Sequence, residues 1–213
     1  MSAESQQPVK LRVGAIASGH LTTAAFSSVL NQYLTAVPQI RLADRAVVDL
    51  AGVEWIDHLP LLGVSLIVKE CARLCPERCE AVMPAILERE AFLERWGFFR
   101  LLDELEFDYE VPEKLEPYKE SQHSRVLPIT SFSDMQGAGA TRDLLFTAEG
   151  NLQEVLRKQA CLDESDVAAL ADLVIFELCK NVIEHSRGGR TGFAIAHAST
   201  PSAEMAPVQT SGF

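Results

Sequence analysis

The sequence predicts an α/β protein with helices packed on a sheet, and three observations carry that prediction. Short apolar runs rich in Val, Ile and Ala alternate with helix-length amphipathic segments between Lys10 and about Leu105. Pro38, Pro60, Pro76 and Gly97 fall between those segments, where helices start or stop. A longer helical pattern, 163–186, has good signals at both ends: Asp163 as N-cap with Glu164 and Asp166 in the first turn, and Arg187 before Gly188-Gly189 at the end.

Taken in order, residues 1–8 are polar and read as a disordered tail. Residues 10–16 form a strand candidate. Thr22 or Thr23 then caps a helix whose buried face would be Phe26, Val29, Leu30, Tyr33 and Leu34, ended by Pro38. Residues 46–50 are a buried-strand signal, continued to Asp57. A helix follows over 60–75, with Leu62, Leu66, Ile67 and Lys69-Glu70 set amphipathically, then a strand near 81–83 and a helix over 86–96 closed by Gly97. Phe98, Phe99, Leu101 and Leu102 supply a last apolar cluster. Residues 107–122 are charged, contain two prolines and lack apolar periodicity, so they read as a linker or surface crossing. Beyond them, 125–129 is a strand candidate, 151–160 is helical with Leu152, Val155 and Leu156 inward, 191–198 is a strand, and 199–213 is a loose tail.

The chain has 213 residues, 47% apolar and 23% charged, ordinary for a soluble globular protein of one large domain or two small ones. A net charge of −11 with no basic run argues against nucleic-acid binding. Residues 13–40 carry no charged side chain, but their Gly, Ser, Thr and Gln content dilutes the hydrophobicity below that of a membrane span. Five cysteines without a secretory signal pattern read as a reducing, cytoplasmic setting. Cys71, Cys75 and Cys79 read as structural, because Pro76 interrupts any common helical face. Asp49, Asp57 and His58 at strand ends read as turn residues rather than a catalytic cluster.

The late helix carries the chemistry. Glu177, Asn181, Glu184 and His185 stand at spacings that share one helical face, while Leu173, Val174, Phe176, Leu178, Val182 and Ile183 cover much of the rest. These four polar side chains make a good oxygen-and-nitrogen ligand set, against the simpler reading of a solvated stripe.

The run Glu177-Leu178-Cys179-Lys180-Asn181-Val182-Ile183-Glu184-His185-Ser186 resembles the first nucleotide-binding motif of the GHKL (Bergerat-fold) ATPases, most closely the anti-sigma-factor branch. The resemblance implies Mg²⁺ ligation by the Asn181 amide oxygen, orientation or deprotonation of the attacking group by Glu177, and Glu184 and His185 beside the phosphates of ATP. Hard oxygen donors suit Mg²⁺, which keeps waters and phosphates in its shell. The family's Asp-x-Gly-x-Gly adenine segment, lid and second glycine-rich motif do not follow Gly189. The expectation is therefore an incomplete ATPase-like half, kinase-like in ancestry and inactive, ending in a truncated or out-of-frame tail.

Residues 46–57, Ala-Val-Val-Asp-Leu-Ala-Gly-Val-Glu-Trp-Ile-Asp, resemble the STAS domain of anti-sigma-factor antagonists. His58 stands where that family carries a phosphorylatable Ser or Thr, and the first hydroxyl downstream is Ser65. The combined expectation is a disordered segment 1–9, a STAS-like domain 10–105, a linker 106–122, a partial GHKL domain 123–198 and a tail 199–213. The function so implied is a cytoplasmic signalling regulator that controls a protein partner through Mg-ATP, with no nucleic-acid or membrane partner. The alternative is a non-enzymatic interaction module or fragment that binds no ATP. An incomplete sheet leaves an edge open to homodimerisation.

Overall fold

The computed structural model describes residues 8–13, 19–75, 78–85, 87–110, 126–133, 156–157, 162–170, 181–182, 184 and 191–197. Its elements are β1 (Val9–Arg12), β2 (His20–Leu21), α1 (Thr23–Ile40), β3 (Ala46–Asp49), β4 (Trp55–Ile56), α2 (His58–Leu74), β5 (Cys79–Val82), α3 (Leu87–Arg95), α4 (Phe98–Glu104), β6 (Asp108–Tyr109), β7 (Val126–Ser133), α5 (Glu164–Leu170) and β8 (Thr191–His197). Strands and helices alternate as the sequence predicts, and the α/β class holds.

β1, β3, β5 and β6 form a parallel sheet in that order. Parallel neighbours need long crossovers, which the intervening helices provide. Consecutive buried residues Ala46, Val47 and Val48 on β3 mark a strand covered on both faces. β2 and β4 form a short parallel pair, and β7 and β8 an antiparallel ribbon with a register irregularity between Leu127 and Thr130.

That ribbon shares the main core. Ile129 and Phe193 join the buried cluster built from β1 through α4. The Ile129 amide donates to the Trp96 carbonyl at 2.8 Å, Arg100 Nη2 donates to the Ile129 carbonyl at 2.8 Å, and Lys69 Nζ lies 5.0 Å from the Phe193 ring centroid.

Local chemistry accounts for most boundaries. Thr22 caps α1 by accepting from the Ala25 amide, as expected of this residue type. Pro38 does not end α1. It sits inside the last turn and the helix runs on to the fully buried Ile40; burial of Ile40 outweighs the single hydrogen bond a late proline removes. Leu30 and Leu34, expected inward, are 39% and 57% exposed. Leu66 on α2 is likewise exposed, while Ile67 is buried. α2 starts two residues before Pro60, at His58.

The apolar cluster after Gly97 forms the helix α4. Gly97 adopts φ 71°, a conformation that favours glycine, so the chain turns sharply from α3 into α4. Phe98, Phe99, Leu101 and Leu102 are thereby all buried. Asp108 and Tyr109, read from the sequence as the start of a surface crossing, add an edge strand to the sheet. Asp163 accepts from the Asp166 amide at 2.9 Å and from the Ser165 hydroxyl at 2.7 Å; both bonds hold its carboxyl below the usual carboxylate range. It thus caps α5 as predicted.

Candidate functional site

The side chains best organised for recognition lie where β4 meets α2. β4 ends in Trp55-Ile56, Asp57 is the N-cap of α2, and His58 and Leu59 open the helix. Asp57 makes no capping hydrogen bond with its side chain. Its Oδ1 instead accepts from Trp55 Nε1 at 3.1 Å. The Trp55 ring is further held by Phe92, 5.5 Å away between centroids. His58 meets Trp96 edge-on at 4.4 Å, and Phe92 and Trp96 lie 6.1 Å apart, separations typical of favourable aromatic pairs.

The backbone behind this face is braced at Gly19. Its carbonyl accepts from the amides of Glu54 and Trp55 at 2.7 and 3.3 Å. Gly19 has φ +66°, and a Cβ there would stand 2.3 Å from the Glu54 side chain; only glycine fits. His20 and Glu54 approach to 3.8 Å at the rim. Trp55 is nevertheless 52% exposed and Leu59 60% exposed. The result is a rigid aromatic-aliphatic patch with an acidic margin.

The neighbouring groups have structural roles. Asp49 takes the amide of Ala51 at 3.0 Å and pairs with Lys10 at 2.8 Å, a turn residue as expected. Ser65 is fully buried, and its hydroxyl donates back to the Leu61 carbonyl at 2.9 Å. It is closed to any phosphoryl donor in this conformation. Cys75 Sγ donates to the carbonyls of Ala43 (3.3 Å) and Arg78 (3.6 Å), and Cys79 Sγ donates to that of Cys75 (3.3 Å). Burial first, then neighbouring thiols, push the Cys71 and Cys79 thiols up to about 12, so they are inert. Among the described residues no three His, Cys, Asp or Glu side chains form a group that could hold a metal ion.

Of the residues expected at a nucleotide site, Asn181 and Glu184 lie in helical backbone, both exposed. Glu177 and His185 lie outside the described residues. Three residues apart on a helix, Asn181 and Glu184 point to one side. The aromatic group around Trp55 draws on β4, α2 and the end of α3, and only Phe92 and Trp96, four residues apart, carry a helical spacing that signals part of it in the sequence. Comparison with known protein families, curated proteins and solved structures returns no match for this chain, and among the described residues no helix is long and apolar enough to cross a membrane.

Proposed function

We propose that the chain is a signalling regulator that acts by docking to a partner protein through the face at the N-terminal end of α2. The observation that carries this reading is Trp55. A large ring fixed by Asp57 and Phe92 and still half in solvent offers contact area at little entropic cost, and tryptophan is over-represented among residues that dominate binding energy. The resemblance of residues 46–57 to a STAS domain supports it. With His58 in place of the hydroxyl and Ser65 buried, docking here is constitutive rather than gated by a phosphoryl group.

A second reading, compatible with the first, makes the later half a GHKL-type element that binds Mg-ATP. It rests on the Glu177-to-Ser186 motif and on the exposure of Asn181 and Glu184. An exposed amide oxygen with a carboxylate on the same side of a helix suits an ion that draws most of its ligands from water and phosphate. Asn181 would hold Mg²⁺, with Glu184 beside it, and the ion's contribution when bound is to neutralise phosphate charge.

Two experiments test these readings. A photo-crosslinking residue at Leu59 should yield a discrete protein adduct in cells, diminished by Trp55→Ala and absent from the same probe at Gln32 on α1; equal labelling from both positions, or none, sinks the docking reading. A fluorescent ATP analogue, titrated with and without Mg²⁺, should bind the chain in a Mg²⁺-dependent way lost in Asn181→Ala. No binding at millimolar nucleotide removes the ATP reading and leaves docking alone.

A further inference from the structure

At the β6 edge of the sheet a cleft of about 800 Å³ opens over β5 and β6. Ala81, Met83, Pro84 and Tyr109 give it apolar walls, and Glu90 and Glu110 line it with carboxylates. Tyr109 is a fixed wall. Its hydroxyl donates to Asp103 Oδ1 at 2.6 Å and its ring stacks on Phe99 at 5.5 Å.

The charges of the cleft are nearly all accounted for except these two acids. Arg78 pairs with Asp108 at 3.1 Å, and Arg45 pairs with Glu80. No described residue makes a hydrogen bond or ion pair to Glu90 or Glu110. Glu90 is the unusual one. It is 4% exposed, and the other two buried polar side chains among the described residues, Ser65 and Thr130, both have partners. Arg45 Nε is the sealed, partnerless side-chain atom among the described residues. The Glu90 carboxyl is therefore not sealed; it opens into the cleft it lines.

A buried carboxylate without a partner is unfavourable unless something cationic joins it. Burial raises the pKa of Glu90, and a neighbouring cation would oppose that shift. A metal ion fits poorly, because no third ligand of the His, Cys, Asp or Glu type converges among the described residues. The apolar walls call for a cation with a hydrocarbon stem.

We propose that this cleft binds an alkylammonium group, with the charge against Glu90 and the methylene stem between Met83, Pro84 and Tyr109. Glu110 adds a second, more open carboxylate at the mouth. This chemistry has two sources, a free aliphatic diamine or a lysine side chain of a peptide. The proposal stands apart from the docking and nucleotide readings.

Isothermal titration of the full chain with 1,4-diaminobutane at physiological salt tests it, with 1-butanol as the uncharged control. A second arm uses a capped Gly-Lys-Gly peptide against the same peptide with norleucine. Saturable binding of either amine probe is expected, with no binding of its uncharged counterpart, and the probe that binds identifies the source. Glu90→Gln keeps the shape and should weaken binding by about tenfold or more, a 1.4 kcal/mol effect at the threshold. Glu104→Gln, on the exposed side of α4, should leave it unchanged. Circular dichroism establishes that both variants fold. Absence of saturable binding by both amine probes at millimolar concentration overturns the proposal, as does a Glu90→Gln variant that binds like the parent.

Discussion

Replacing Gly63 with alanine tests how α1 sits on α2. Gly63 lies within α2, and a Cβ there would stand 2.2, 2.5 and 2.8 Å from three atoms of the Phe26 ring. Real Cβ atoms do not approach other heavy atoms under 3.0 Å, so the ring or the helix must move. Two effects oppose each other. Alanine in a helix interior is favoured over glycine by about 1 kcal/mol. Over-packing a filled seam costs roughly 1–3 kcal/mol, and three close ring contacts put this site toward the upper end. The net expectation is a loss of about 1–2 kcal/mol, or roughly 2–8 °C in Tm for a chain of this size. The double-mutant cycle with Phe26→Ala is the sharper measurement. Removing the ring destabilises the protein, but Gly63→Ala added to that background should then stabilise it, because only the propensity effect is left. Urea unfolding followed by circular dichroism reads all four corners of the cycle. A Gly63→Ala change of the same sign in both backgrounds would falsify the packing argument.

Other substitutions separate core from surface. Trp96→Ala removes a ring that is 2% exposed and packs edge-on against His58; it should cost about 3–5 kcal/mol, whereas half-exposed Trp55→Ala should cost far less in urea unfolding. Equal losses in the two variants would contradict the burial pattern. Thr22→Ala deletes the bond from the Ala25 amide and should lose about 1 kcal/mol, with Thr22→Asn retaining most of it. The cysteines set a pH limit. Burial raises the Cys71 and Cys79 thiols from an ordinary 9 to about 12, so between those values the unfolded chain has lost protons that the folded chain keeps. The thiols' contribution to stability is thus constant below about pH 9 and is lost as pH rises toward about 12, with a slope near 1.4 kcal/mol per pH unit for each thiol. Cys71→Ala should flatten that slope in alkaline urea titrations; an unchanged slope would exclude the thiol as its source.

Local sequence rules were sufficient where neighbours in the chain decide the outcome. Thr22 and Asp163 cap helices because a short side-chain oxygen reaches amides three residues on. The Ala46-Val47-Val48 run announces a strand covered on both faces, and the alternation of strands and helices announces the α/β class.

What the sequence left open depended on partners distant along the chain. Helical periodicity marks a buried side of α1 but does not fix how wide it is. The contact of Phe26 with Gly63 decides how α2 lies against α1, and Leu30 and Leu34 remain outside. Pro38 is tolerated because Ile40 gains a fully buried place in the core, a benefit invisible to the breaker rule. The two-residue strand Asp108–Tyr109 has no pattern of its own and exists by pairing with Glu80 and Ala81. The Trp55 patch and the Glu90 cleft arise in the same way. The first gathers residues from β4, α2 and α3, and the second joins β5, α3 and β6. Chemistry written within one helix turn or one strand can be read from the chain; chemistry assembled across elements is set by the packing that brings them together.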